Sequence, residues 1–108
     1  MIKVYIASPY TLGDQAKNVK KQMDVFNDLA DIQGVAPFAP LLYHFQHLVH
    51  PRTELQWMEL DLEWVKACDA VLRLPGESKG ADQEVEWAIA LDIPVFYSIE
   101  DLKDHFKL

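Results

Sequence analysis

The stretch PGESKGADQEVEWA, Pro75 to Ala88, constrains this chain more than any other. It follows a short apolar run, Ala70-Val71-Leu72, and opens a helix whose one face carries Ala81, Glu84, Ala88 and Leu91. A turn containing Pro, Gly and Ser between a strand and a helix offers unpaired backbone N–H groups to an anion. Glu84 falls about one turn into that helix, on its apolar side. A carboxylate there must find a partner, shift its pKa or face a cavity. A cavity is the expectation here.

The same grammar recurs along the chain. Ile2 to Ala7 reads as a buried strand ended by Ser8-Pro9. Asp14 is the predicted cap of a helix with Ala16, Val19, Met23, Phe26 and Ala30 as its stripe, stopped by Gly34. Val35 to Pro40 is a second strand, whose prolines suit an edge. Leu41 to His50 reads equally as a short helix or an ordered loop. Thr53 caps a further helix with Leu55, Met58, Leu62 and Val65 as its stripe. Cys68 to Leu74 and Pro94 to Tyr97 are the third and fourth strands, and Ser98 opens a last helix ending near Phe106.

This alternation predicts an α/β, Rossmann/flavodoxin-like three-layer fold in a single domain over residues 1–108. Its sheet would be parallel, four- to five-stranded, with helices on both faces. Ligands of such sheets bind at the carboxyl ends of the strands. The loops there are Ser8–Gly13, Ala39–Arg52, Pro75–Lys79 and the segment from Ser98 onward.

Composition narrows the partners. A net charge of −7 lacks the basic surface that polymeric nucleic acid or a membrane would need, while leaving room for a small anion in a local pocket. A single cysteine, Cys68, has no internal disulfide partner, so a reducing cytoplasm is expected. MIKVYIASPY is too short an apolar run for a signal peptide, and no stretch reaches the length of a spanning helix.

Two carboxylates stand out. Glu84 suits nucleophilic or acid–base work, and its nearness to a helix N-terminus favours the ionised form. The competing reading is a buried glutamate paired with a backbone donor or a lysine. Asp61 shares a helix side with Trp57, Met58, Trp64 and Val65, an environment unlike plain surface. Beside it stands the reading of a half-exposed aspartate at an oligomer contact. Two carboxylates around one cleft suit cleavage of a glycosidic bond.

Weaker signals surround them. Ser78, Lys79 and Gly80, and Ser8 with its neighbouring backbone, form anion-friendly loops, although no P-loop or dinucleotide fingerprint is present. His44, His47 and His50 match no zinc spacing and read as rim residues near a base or sugar, so no metal is expected. Cys68 reads as core filler, and the Trp57/Trp64 stripe as core or subunit interface. Arg73, inside an apolar strand, points either to a ligand or to an interface partner.

The blocks VYIASPYTLGD, LDLEWVKACDAVLRLPG and SKGADQEVEWAIALDIPV, in that order, resemble the nucleoside 2-deoxyribosyltransferase-like superfamily. That superfamily includes the nucleoside 5′-monophosphate N-glycosidases, and the likeness is greatest to its short bacterial and phage-type members. The resemblance implies that Glu84 attacks the anomeric carbon of the sugar, that Asp61 assists in the pocket and that Tyr5 helps to position Glu84. It implies a phosphate- or sugar-binding role for Ser78, with Lys79 and Gly80 beside it, and for Ser8, with Pro9 and Tyr10 following. The family's phosphate loop often carries a glycine-rich tract with an arginine, where this chain has Pro9-Tyr10-Thr11-Leu12.

The implied activity is N-glycosidic bond cleavage in a nucleoside or nucleoside monophosphate, by hydrolysis or deoxyribosyl transfer, with no cofactor. A non-catalytic nucleotide-binding or sensing module on the same scaffold is the alternative. Shared active sites in the family, with Trp57 and Trp64 on one stripe, imply a homodimer or homotetramer.

Overall fold

A computed structural model describes residues 1–108. Four strands, β1 (Ile2–Ala7), β2 (Val35–Phe38), β3 (Ala70–Arg73) and β4 (Val95–Phe96), form one sheet in the order β2-β1-β3-β4. Every pairing is parallel. The expected α/β three-layer architecture is therefore present, with the smaller of the two strand counts. β2, interrupted by Pro37, lies at an edge, where a missing N–H costs little.

Strand periodicity sorts the helices onto the two faces. Val4 and Ile6 of β1, with Ala70 and Leu72 of β3, turn towards Leu29 of α1 (Gln15–Ala30) and Leu102 of α5 (Ile99–Phe106). Tyr5, Ala7 and Val71 turn the opposite way, towards Val65 of α3 (Glu54–Ala67) and Ala81 and Ala88 of α4 (Lys79–Ala90). The period of two thus places Tyr5 on the layer that holds α3 and α4.

Local chemistry sets the helix starts. Asp14, Ser78 and Ser98 each accept an N–H bond from the first turn of the helix they cap. Thr53 and Gln56 form a reciprocal capping box at the head of α3. Leu41 to His50, readable two ways in the sequence, becomes a 3₁₀ turn (Pro40–Tyr43) followed by a single short helix, α2 (His44–Val49).

The apolar stripes differ in detail from expectation. In α1 the buried residues are Gln22 and Leu29, while Ala16 and Ala30 are exposed. The helix is rotated so that an amide faces inward, because hydrogen-bond partners wait for it there. Leu55 and Leu91 are also exposed, since each lies at a helix end beyond the sheet.

Candidate active site

β1 ends beside β3, and the strand order reverses between them, so the crevice of a doubly wound sheet opens at their carboxyl ends. A cavity of about 540 Å³ occupies that position. Two carboxyls from α3 and α4 form its floor, backed by a buried hydroxyl from β1. The Tyr5 hydroxyl, from β1, donates to Glu84 Oε2 on α4. Asp61, from α3, brings its carboxyl within hydrogen-bonding range of Glu84. Glu84 is 5 % exposed, so the cavity meets its carboxyl group and little else of it.

Burial controls the protonation of this cluster. Glu84 is raised to about 8, chiefly by desolvation and also by the neighbouring Asp61, against the Tyr5 hydrogen bond and the Arg73 charge. Asp61 is raised to about 6, again chiefly by burial. Two adjoining carboxyls, one buried and one half-buried, resist a double negative charge, so near neutrality the pair holds one proton in common. Helix-dipole ionisation of Glu84, expected from the sequence, is overridden. Glu84 lies beyond the first turn of α4, where the dipole has faded, and desolvation is the larger effect. Tyr5 is raised well above the usual tyrosine range by burial and both carboxylates, so it remains a donor.

The carboxyls also stand side by side rather than across a gap. A retaining glycosidase pair flanks the scissile bond at roughly 5–5.5 Å.

Around this floor, Ser8, Tyr10, His44, Ser78, Lys79 and Gly80 all line the cavity. Ser78 accepts the Ala81 N–H as the cap of α4, which leaves its own hydroxyl proton for a ligand. The Tyr10 hydroxyl meets His44 Nδ1 at 2.6 Å, tying the first loop to α2 across the mouth. Pro9 does not line the cavity. Its ring packs on Gly76, where an added Cβ would lie 2.7 Å from Pro9 Cγ and where φ is +120°. Pro9 therefore packs against the Pro75–Lys79 loop. No three His, Cys, Asp or Glu side chains converge as a metal site; His44 and His47 are engaged by Tyr10 and Trp57.

Several residues that line or support the cavity went unnoticed in the sequence. Gln22, fully buried, donates from Nε2 to the Ile6 carbonyl and to Ser8 Oγ at 2.6 Å, and accepts the Leu41 N–H at Oε1. With its hydroxyl oxygen occupied by that amide, Ser8 is left as a donor towards the cavity. An amide spaced three residues from Val19 and one from Met23, on the inward face, was the available signal. Tyr43 and Trp57 add aromatic lining, and a second aromatic stack lies behind the cavity wall. Phe38 stacks on Tyr5 and on Trp64, and Tyr43 stacks on Trp57 at 5.5 Å.

Arg73, left between two readings in the sequence, is engaged within the chain. Its guanidinium holds the carbonyls of Leu74 and Gly76 and reaches Asp82 at 3.0 Å, bracing the loop that leads into α4.

The family model described as Domain of unknown function (DUF7768) matches residues 2–98. No curated protein matches the chain in sequence. Among solved structures, one similar chain is a 2-deoxyribosyltransferase from the psychrotolerant bacterium Bacillus psychrosaccharolyticus, described as a biocatalyst for the synthesis of nucleosides. It is 27% identical, superposes with a TM-score of 0.57, and the match covers 90% of this chain and 75% of that one. This likeness supports the superfamily that the three sequence blocks resemble.

Proposed function

The chain belongs to the DUF7768 family, and we propose that it cleaves the N-glycosidic bond of a nucleoside or nucleoside monophosphate. The observation that carries this reading is that Glu84 and the half-buried Asp61 line a cavity of about 540 Å³, with the buried Tyr5 hydroxyl donating to Glu84. The likeness to a 2-deoxyribosyltransferase supports the same class of substrate.

In the proposed sequence, the shared proton resides on Asp61 once substrate is bound, and Tyr5 favours the charge on Glu84 by donating to it. A free carboxylate oxygen of Glu84 attacks C1′. The C1′–N bond breaks, its electron pair goes to the base nitrogen, and the Asp61 proton neutralises the leaving base. A glycosyl ester on Glu84 remains. Water or a second base then attacks C1′, returns the proton to Asp61 and frees Glu84. Ser8 and Ser78, each left with a hydroxyl proton, would meet oxygens of the sugar or its phosphate.

The assembly in this reading is a homodimer or homotetramer. Phe45 and Leu55, 75% and 70% exposed, are the apolar surface it would cover.

Free base is the product to measure, by chromatography after incubation with nucleosides and their 5′-monophosphates. Wild type is expected to release base and Glu84→Ala to lose at least about a thousandfold in rate. Equal turnover by the mutant would refute the assignment of Glu84. Nucleotide binding without release by wild type would place the protein among non-catalytic binding modules.

A further inference from the structure

The hydrogen bond between Trp57 and His47 has a single possible polarity. An indole N–H donates and cannot accept, and Trp57 Nε1 lies 2.8 Å from His47 Nδ1. Nδ1 therefore presents a lone pair. The Arg52 backbone N–H is directed at the same atom, at 3.4 Å. An imidazole that accepts at Nδ1 carries its proton on Nε2, so the ring is neutral and its remaining nitrogen is a donor. Its orientation is held as well, edge-on to Trp57 with ring centroids 5.8 Å apart and planes at 70°.

His47 lines the same cavity as Glu84 and Asp61. Trp57 stands four residues before Asp61 on α3, on the same side of the helix. With C1′ at Glu84 and the leaving base at Asp61, the base extends towards Trp57, Tyr43 and His47. That region is aromatic, and Tyr43 is stacked on Trp57 within it. A fixed, uncharged N–H in such a wall fits a carbonyl oxygen. An exocyclic amino group at the same place would set two donors against each other and leave both unpaired.

Resting on the glycosidic reading above, we propose that His47 selects the base through Nε2–H. 6-Oxopurine and 4-oxopyrimidine nucleosides are the preferred substrates over their 6-amino and 4-amino counterparts.

The test uses pairs that differ only at this group and in the proton on the adjoining ring nitrogen: 2′-deoxyinosine against 2′-deoxyadenosine and 2′-deoxyuridine against 2′-deoxycytidine, each free and as the 5′-monophosphate. Equilibrium binding and free-base release are measured on wild type, His47→Phe and His47→Gln. The oxo member of each pair is expected to bind about tenfold more tightly to wild type, the weight of one neutral hydrogen bond. His47→Phe should bring the ratio within about twofold, through Kd and KM rather than kcat. His47→Gln, which can accept from Trp57 and still donate, should retain most of the preference. Equal binding of both members by wild type, no binding of any compound, or an undiminished preference in His47→Phe would overturn the assignment. Selective binding without base release supports the base contact while refuting glycosidic chemistry. Base release without selectivity does the reverse.

Discussion

Tyr5 and Glu84, 79 positions apart in the chain, share a hydrogen bond in the core, the phenol of the first strand donating to the carboxyl of the fourth α-helix. Asp61 completes the group from a third element. The donor matters because burial opposes the charge that a nucleophilic glutamate needs. A phenol that donates to the carboxylate recovers part of that cost while remaining protonated itself.

Tyr5→Phe should keep the ring packing on Phe38 and lose the donor. A hydrogen bond to a charged group is worth about 1.5–3 kcal/mol, so kcat for base release is expected to fall roughly 10- to 100-fold. The acidic limb of the kcat–pH profile should move to higher pH, because Glu84 gives up its proton less readily. A merely structural role for Tyr5 would leave that limb in place.

Stability should depend on pH through Glu84. Its folded value, about 8, lies above the ordinary carboxylate value of 4.5, so between those limits the folded state binds the additional proton. Stability then falls as pH rises from about 5 to 8. Glu84→Gln removes this penalty and should be the more stable protein at pH 8, with the difference vanishing near pH 4. One pKa unit corresponds to about 1.4 kcal/mol, so each unit retained by the pair separates the two melting curves by about 4–8 °C. Thermal melts of both proteins at several pH values check the sign and the window.

Gln22→Leu should destabilise the fold by about 2–4 kcal/mol in denaturant titration. The Leu41 N–H and the Ile6 carbonyl lose a buried partner, and each unsatisfied group costs about 1–3 kcal/mol. Affinity for substrate should fall as well, since the Ser8 hydroxyl loses the contact that orients it.

Arg73→Leu is expected to destabilise by about 1–3 kcal/mol, because two backbone carbonyls of the loop into α4 lose a guanidinium that is itself buried. Asp82→Asn removes only the exposed end of the same contact, the Asp82 side chain being 67% exposed, and should cost less than about 1 kcal/mol. Equal effects from the two substitutions in chemical denaturation would show that the ion pair, rather than the carbonyl contacts, holds the loop.

Much of this architecture is determined by period and punctuation. The alternation in Ile2–Ala7 places Tyr5 on one face of the sheet and Val4 and Ile6 on the other. The spacing of Ala81, Glu84 and Ala88 turns the glutamate inward, and the Pro75–Ser78 turn with its serine cap starts α4 where the sequence predicts. Such features are local, encoded within one or two turns of chain, so propensity and side-chain polarity suffice to read them. What depends on distance in sequence was decided in three dimensions. Asp61 beside Glu84, Gln22 beneath Ser8, Pro9 against Gly76 and Trp57 upon His47 each join separate elements whose docking no single stretch specifies. The protonation of Glu84 belongs with them: helix position alone argues for a charge, and only the closing of the neighbouring layer, which removes water from around the carboxyl, reverses that balance.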